Sequence, residues 1–262
     1  MSLASDPPSP KVRTELDGEV FTITLADPEN RNVLSLALVD EFIAAIDRAE
    51  ADPEVRVVVV SNDGAVFCAG ADLSERATNA VRGGAPDSAL IFARIRNSPK
   101  PFVGRIAGHA VGGGLGLAAS MDISVAVEAA KFGFTEVRVG VAPAIISVIC
   151  LPKMRQADAA EAFLRGNRFL APEAVRLGLI NYAVPQLRLD EAIAEIVADL
   201  LEGSPAGLAA SKQLITKVPS LDFDAALEWT GELSAHLFTG PDATEGMRAF
   251  LGKRPPSWSP RS

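Results

Sequence analysis

Two short stretches rich in glycine have the composition to stabilise a negative charge with backbone groups alone. They are residues 67–73 (FCAGADL) and residues 108–116 (GHAVGGGLG). Each stretch follows an apolar run typical of a strand and precedes a helical pattern, and a turn from strand to helix leaves backbone N–H groups without partners. Two such turns side by side predict an oxyanion hole, in which fixed N–H donors surround one developing negative charge.

The residues before these turns predict a hairpin, a helix and a buried strand. Asp17 and Gly18 separate two alternating segments, 12–16 and 20–25, which is a hairpin signal. Ser35 is a suitable N-cap for a helix with apolar residues at helical spacing. The β-branched run 55–60 is apolar on both faces, as is typical of a strand in a helix-covered parallel sheet.

The rest of the chain continues the alternation and then becomes helical. The patterns predict further strands at 102–106, 123–127 and 179–184, a short extended segment at 131–134, a loop at 76–88, and helices at 90–96, 115–120, 144–151, 156–164 and 172–178. From Leu189 onward the periodicity is helical. These patterns predict an α/β domain with an α-helical C-terminal part. We place a disordered tail at 1–10, the core domain at 11–195 and the C-terminal helical region at 196–262.

The composition argues against several kinds of partner. The 262 residues carry a net charge of −8 and no basic cluster, so nucleic acid is not expected. Cys68 and Cys150 lie far apart, which fits a reducing, cytoplasmic setting better than a disulfide framework. Two histidines and no C-x-x-C motif predict no metal site. No apolar run is long enough to span a bilayer, so no membrane association is expected.

The glycine run 108–116 does not match other glycine-rich motifs. No Gly-Lys-Ser/Thr follows it, so it is not a phosphate-binding loop. Its spacing also differs from the dinucleotide fingerprint. A Ser-His-Asp hydrolase is not expected, because the chain has no Gly-x-Ser-x-Gly elbow.

Seven landmarks in a fixed order carry a resemblance to a known family. They are 28–34, 67–73, 99–101, 108–114, 121–123, 132–140 and 245–254. In type, order and spacing they resemble the crotonase family, also called the enoyl-CoA hydratase/isomerase superfamily. The resemblance extends over about residues 12–256.

The resemblance implies a fold, an assembly and a ligand. The implied fold is α/β, a crotonase-like spiral of ββα units with an α-helical C-terminal trimerisation region. The implied assembly is a homotrimer or a hexamer made of two trimers. The implied partner is an acyl-coenzyme A thioester, and because coenzyme A is part of this substrate, no separate cofactor is expected.

The resemblance also implies roles for individual residues. The N–H groups of Ala71 and Gly113 would bind the thioester oxygen, and Glu136 would carry a proton. Its position between Phe134 and Val137 predicts partial desolvation and a raised pKa. The residues implied to bind coenzyme A or substrate are Arg31, Ala69, Gly70, Asp72, Leu73 and Gly112, together with Phe250 and Lys253 from a C-terminal helix, often of a neighbouring subunit.

This chain departs from the family at two places. Hydratases of the family usually carry a second Glu where this chain has Gly116. One carboxylate favours isomerisation of the 3-enoyl to the 2-enoyl thioester, while hydration of a 2-enoyl-CoA stays open, as does acyl-CoA binding with little or no catalysis. The run 144–150 (AIISVIC) is also bulkier than the usual glycine-rich helix start and is predicted to reshape the acyl pocket.

Several polar residues near the motifs have simpler structural interpretations. Cys68 has apolar flanks and no neighbouring base, so we expect a small core residue. His109 is expected to be a packed, hydrogen-bonded loop residue. The carboxylates of Asp72 and Asp122 are expected to lie at a helix start and a strand start. Arg31 is as well explained by a solvated surface charge as by a contact to coenzyme A.

Overall fold

The computed structural model describes residues 9–79 and 88–259. Within these ranges the strands β1–β10 are Val12–Asp17, Val20–Leu25, Val57–Asn62, Val66–Cys68, Phe102–Ile106, His109–Val111, Ile123–Val127, Lys131–Gly133, Phe169–Leu170 and Tyr182–Val184. The α-helices α1–α11 are Leu36–Ala51, Leu73–Asn79, Ser88–Asn97, Gly113–Ser120, Ala144–Cys150, Gln156–Arg165, Ala171–Arg176, Leu189–Glu202, Pro205–Lys217, Phe223–Phe238 and Pro241–Leu251.

The strands form two sheets that the chain visits alternately. The larger sheet has the order β1-β2-β3-β5-β7-β10, and the smaller sheet has the order β4-β6-β8-β9. Each of the pairs β3–β4, β5–β6 and β7–β8 places one strand in each sheet before the chain enters a helix. This arrangement is the spiral of ββα units that the resemblance implied.

Most neighbouring strands run parallel, which explains their composition. Only β1 with β2 and β8 with β9 pair antiparallel among the described strands. Every residue of β3 is buried, because helices and the second sheet cover both of its faces. Ser35 caps α1, and its Oγ accepts a hydrogen bond from the Leu38 amide at 3.3 Å, as the sequence predicted.

Some predicted element bounds are wrong. The strand predicted at 55–60 lies at Val57–Asn62, and the strand predicted at 179–184 is reduced to Tyr182–Val184. Helix α4 begins at Gly113 rather than at 115 because the glycines there already adopt helical geometry. Of the predicted loop 76–88, residues 76–79 are helical in α2, residue 88 begins α3, and residues 80–87 lie outside the described residues.

The C-terminal part consists of helices, and several of their apolar side chains are exposed. Helix α8 spans residue 195, so the boundary drawn there falls inside one continuous helix. Phe223, Phe238 and Phe250 are 79%, 66% and 83% exposed. Residues 1–8 of the predicted disordered tail lie outside the described residues. Among the described helices, none combines the length and apolarity that crossing a bilayer requires.

Candidate active site

Three neighbouring parallel strands end at the same edge of the smaller sheet and assemble the site. Strand β6 lies between β4 and β8 and is parallel to both. The segments that follow the three strands are residues 69–71, residues 112–113 and residues 134–136. Because the carboxyl ends of parallel strands meet at one edge, segments far apart in sequence become neighbours there.

The two glycine turns pack directly on each other. Gly70 has φ +87°, and a Cβ at this position would lie 2.9 Å from the Gly113 nitrogen. A Cβ on Gly113 would lie 3.6 Å from the Ala71 nitrogen. No side chain fits between these backbone segments, so the amides of Ala71 and Gly113 belong to adjacent stretches of main chain. Neither amide donates a hydrogen bond within the described part of the chain.

Helix α4 is held equally closely against β4. A Cβ on Gly114 would lie 2.0 Å from the carbonyl oxygen of Cys68. The first turn of the helix therefore rests on the end of β4, and only glycine permits this approach. Residues 69–71 and residues 112–113 are called the first and the second donor segment, because they carry the amides of Ala71 and Gly113. The helix N-terminus, where N–H groups lack intrahelical partners, faces the same edge of the sheet.

The loop at 27–34 fixes the first donor segment from the other side. The Leu34 amide donates to the Gly70 carbonyl at 2.7 Å, and Leu34 forms a parallel bridge with Ala71. Asn32, which is fully buried and has φ +50°, holds this loop in place. Its Oδ1 accepts from the Asp27 amide, and its Nδ2 donates to the carbonyls of Asp63 and Val66.

The carboxyl group of Glu136 lies over the second glycine turn. Glu136 is half-buried in a 3-10 turn, Thr135–Val139, directly after β8. A Cβ on Gly112 would lie 3.4 Å from its Oε1 and 3.9 Å from its Oε2. Oε2 is buried and has no hydrogen-bond partner among the described residues. Burial raises the pKa of Glu136, as the sequence predicted, because a desolvated carboxylate loses hydration.

These groups line one cleft of about 690 Å³. Ala71, Gly112, Gly113 and Glu136 all lie on its wall. Glu136 is the only charged residue among the described residues of the lining. Most of the remaining wall is apolar: Leu34, Phe92, Val139, Val141, Ile145 and Ile146. The cleft therefore combines two backbone donors with one carboxylate of raised pKa in hydrocarbon surroundings.

The comparison with protein families identifies the family of the chain. The family model described as enoyl-CoA hydratase/isomerase matches residues 15–261. The chain belongs to this family. It is an enzyme of the enoyl-CoA hydratase/isomerase group, and the family resemblance seen in the sequence is confirmed.

Individual relatives of the family match over nearly their whole length. The chain is 31% identical to the short-chain-enoyl-CoA hydratase of Clostridium acetobutylicum, covering 92% of this chain and 94% of the relative. It is 30% identical to the 2,3-dehydroadipyl-CoA hydratase of Escherichia coli, covering 92% of this chain and 96% of that relative. The solved enoyl-CoA hydratase of Mycobacterium smegmatis is 29% identical and superimposes with a TM-score of 0.88. The match covers 95% of this chain and 99% of the solved chain.

Other residues that the family resemblance assigned to the site lie in two groups. Ala69 and Leu73 line the cleft. The others are not among the described lining residues: Arg31, Gly70, Asp72, Phe250 and Lys253. Gly70 is buried next to the Ala71 and Gly113 amides. Arg31 is exposed, and its own carbonyl accepts a hydrogen bond from the Ala69 amide at 3.1 Å. Phe250 lies on α11, and Lys253 follows that helix.

The polar residues near the motifs that were not assigned to the chemistry are buried or make hydrogen bonds that stabilise the fold. Asp72 Oδ1 accepts from the amides of Ser74 and Glu75 at the start of α2. Cys68 is buried, which raises the pKa of its thiol to about 12. His109 was expected in a loop but begins strand β6, and its Nδ1 accepts a hydrogen bond from the Lys131 amide. Asp122 accepts from the Phe102 amide and pairs with Lys212 at 2.7 Å.

The sequence did not single out several residues of the apolar wall. Phe92 lies on it, although nothing in its local pattern distinguishes it from a core residue. Leu34, the last residue of the landmark 28–34, also lies on it but was assigned no role. Ile145 and Ile146 belong to the bulky run 144–150, which the sequence did predict to reshape the pocket. Thr135 also lines the cleft beside Glu136. Its position one residue before the family carboxylate was the available signal.

Proposed function

We propose that this enzyme binds the thioester oxygen of an acyl-CoA at the amides of Ala71 and Gly113 and moves a proton with Glu136. The observation that carries the proposal is the position of the Glu136 carboxyl over Gly112, beside two amides that donate no hydrogen bond to any described residue. Removing a proton next to a thioester leaves negative charge on the carbonyl oxygen. Fixed N–H donors stabilise this charge without reorganising, and losing one donor removes roughly 2.7–4 kcal/mol in a studied hydrolase.

A single carboxylate best supports double-bond isomerisation. Ionised Glu136 takes a proton from C2 of a 3-enoyl-CoA, and the electron pair of that C–H bond moves into an enolate held by Ala71 and Gly113. The same carboxyl group then returns the proton to C4 as the double bond shifts to C2. The raised pKa of Glu136 suits both halves of this cycle, because the group must accept a proton and then give it back.

Hydration is the second candidate, and the names of the relatives favour it. Both relatives described above are named hydratases. In this reaction Glu136 removes a proton from the water that attacks C3 of a 2-enoyl-CoA. The same group then supplies a proton to C2 of the resulting enolate. One carboxylate would perform both steps in turn.

The acyl group that fits the cleft best is uncharged. The dehydroadipyl group named for the Escherichia coli relative ends in a carboxylate. The described residues of the cleft supply no cationic side chain for such a group, and the carboxylate already present is Glu136. Burying a second anion there without a partner is unfavourable. A neutral acyl chain would pack against the apolar part of the wall.

The coenzyme A part extends past the first donor segment in this proposal. Ala69 and Leu73 line the cleft, and in this proposal the exposed side chain of Arg31 would meet a phosphate group of the coenzyme. The 83% exposed side chain of Phe250, with Lys253 nearby, would reach the coenzyme of a neighbouring subunit in a trimer or a hexamer. Size-exclusion chromatography with light scattering would detect either assembly. We also propose a cytoplasmic location.

The test follows the ultraviolet absorbance of the conjugated thioester. Isomerisation of a 3-enoyl-CoA makes this absorbance rise, and hydration of crotonyl-CoA makes it fall. Glu136→Gln should abolish either change, whereas Glu128→Gln, at an exposed position just after β7, should leave it intact. An active Glu136→Gln enzyme would overturn the role of Glu136. Binding of acyl-CoA without any reaction in the unaltered enzyme would support a binding protein instead.

A further inference from the structure

Ile146 occupies the space in which a side chain at residue 116 would lie. A Cβ on Gly116 would lie 2.2 Å from the Cγ2 and 2.9 Å from the Cβ of Ile146. It would also lie 3.4 Å from the Cζ of Phe92. Position 116 therefore has no room for any side chain while Ile146 is present. The glycine on α4 and the isoleucine on α5 are one packing unit.

This packing unit adjoins the proposed oxyanion donors. Gly113 and Gly116 are three residues apart on α4, so they lie on the same side of the helix one turn apart. Ile146 reaches this side from α5 and lines the same cleft as Gly113 and Glu136. Ile146 therefore packs on the helical turn that directly follows Gly113.

The side chain of Ile146 is fixed in this position. It is 3% exposed, and Phe92, its neighbour in the wall, is 4% exposed. Close-packed side chains at this level of burial have little freedom to move aside. A β-branched residue is also restricted in its χ1 angle. The wall at this point is therefore rigid hydrocarbon, and it does not adapt to a longer ligand.

We propose that Ile146, seated against Gly116, is the specificity-determining residue that limits the length of the acyl chain. The inference rests on the proposed function, because it assumes that the thioester oxygen lies at Ala71 and Gly113. The coenzyme part then leaves toward Ala69 and Leu73, and the acyl part extends toward α5. Ile146 ends this acyl subsite, and the missing side chain at residue 116 is what allows the isoleucine to sit there.

Binding measurements with saturated thioesters test the proposal without requiring turnover. Affinities for butyryl-, hexanoyl-, octanoyl- and decanoyl-CoA are measured by calorimetry for the unaltered enzyme and for Ile146→Ala. The alanine variant should bind the longer chains about four-fold more tightly for each methylene newly buried, with little change for butyryl-CoA. Val148→Ala is the matched control, since Val148 lies on the same helix, is 65% exposed and does not line the cleft.

A double variant tests the packing between the two residues. Gly116→Ala alone should lose thioester binding by tenfold or more or fail to fold, because its Cβ overlaps Ile146. Gly116→Ala combined with Ile146→Ala should recover binding. If Gly116→Ala alone binds every thioester like the unaltered enzyme, the proposed packing unit is wrong. Ile146→Val, which keeps most of the volume, should shift the preference in the same direction by a smaller amount if Ile146→Ala fails to fold.

The outcomes separate this inference from the proposed function. If the unaltered enzyme binds no acyl-CoA, both are wrong. If it binds and converts enoyl-CoA but Ile146→Ala shows the same dependence on chain length, only the role of Ile146 is overturned. A shift toward longer chains in Ile146→Ala and not in Val148→Ala supports the proposal.

Discussion

The carboxyl group of Glu136 packs over the α-carbon of Gly112, so that a methyl group at residue 112 would lie 3.4 Å from Oε1. Gly112 also has φ +55° and ψ −129°, a conformation that side-chain-bearing residues rarely adopt. Gly112→Ala should therefore displace the turn that joins β6 to α4. We expect a loss of about 1–3 kcal/mol in the free energy of unfolding and a loss of activity of at least about a hundredfold.

Gly18→Ala is the matched control for Gly112→Ala. Gly18 has φ +55° too, but a Cβ there would meet nothing within 4 Å. It should lose a similar amount of stability, about 1–2 kcal/mol, with unchanged activity per folded enzyme. Chemical denaturation and kcat for both variants check the prediction. Equal activity of the two variants would show that the Gly112 turn does not position the site.

The raised pKa of Glu136 predicts how stability depends on pH. Burial raises the pKa of Glu136 in the folded state above its ordinary value of 4.5. A group of this kind stabilises the folded state fully only at pH values below its ordinary pKa, where it is protonated in both states. This contribution is lost as the pH rises through the folded-state pKa, where burial opposes ionisation. Glu136→Gln should therefore be more stable than the unaltered protein at pH 7, and the difference should vanish below about pH 4.5.

Urea denaturation at a series of pH values measures this difference. Glu128→Gln serves as the control for a Glu-to-Gln substitution at an exposed position. A Glu136→Gln protein that is less stable than the unaltered one at pH 7 would contradict the prediction, because the carboxylate would then gain more from its surroundings than it loses by burial.

Asn32 is expected to act as a positioning residue for the first donor segment. Its three side-chain hydrogen bonds lie in the buried interior of the loop that Leu34 ties to Gly70. Asn32→Ala should lower the free energy of unfolding by about 2–4 kcal/mol, because buried polar groups lose their partners. The folded fraction should also show a reduced kcat, since the Ala71 amide is no longer held in place.

Asn30→Ala in the same loop separates positioning from general loosening. Asn30 is exposed, and its side chain donates to the carboxylate of Asp27. Its loss should lower the free energy of unfolding by about 1–2 kcal/mol, less than the loss of Asn32, and leave kcat unaltered. If Asn32→Ala keeps a normal kcat while losing stability, the role of Asn32 is structural alone.

Arg56 is expected to hold the C-terminal segment against the core. Its guanidinium is 8% exposed and donates to the carbonyls of Leu201, Gly203 and Trp258. Arg56→Met should destabilise the protein by about 2–4 kcal/mol, since three carbonyls lose a charged donor. In a Trp229→Phe background the fluorescence of Trp258 should shift to the red as this segment separates from α8.

The exposed ion pair of Arg13 with Asp63 provides the comparison. Arg13→Met should change stability by less than about 1 kcal/mol, because solvent screens such a pair, and Trp258 should keep its emission. An unshifted spectrum in Arg56→Met would show that other contacts suffice to hold the segment. One such contact is the hydrogen bond from Trp258 Nε1 to the Glu202 carbonyl.

Local chemistry made much of the fold predictable from the sequence. Asp17-Gly18 correctly predicted the hairpin of β1 and β2, and Ser35 correctly predicted the start of α1. The two glycine stretches predicted the turns that meet in the site. The short strand Phe169–Leu170 was missed because two residues carry no periodicity and are strand-like only through pairing with β8. The end of the last strand was predicted correctly, whereas its start was three residues too early.

Contacts between segments that are distant in the chain could not be predicted from the sequence. The bond from the Leu34 amide to Gly70 depends on how a loop folds onto β4, and no local pattern encodes it. The absence of a side chain at Gly116 was visible, but the isoleucine that takes its place lies thirty residues later on another helix. Packing of this kind depends on three-dimensional register, which a single sequence does not specify.

The direct seating of Gly114 on the Cys68 carbonyl, where a Cβ would lie 2.0 Å from the oxygen, joins the two donor segments without any intervening side chain. A side chain can rotate and can be replaced by mutation, whereas a contact between two main-chain segments can do neither. The contact therefore couples the position of one segment directly to that of the other. Because the main chain sets the distance between the Ala71 and Gly113 amides, substitutions in the walls of the cleft would change its shape and leave the proposed oxyanion site in place.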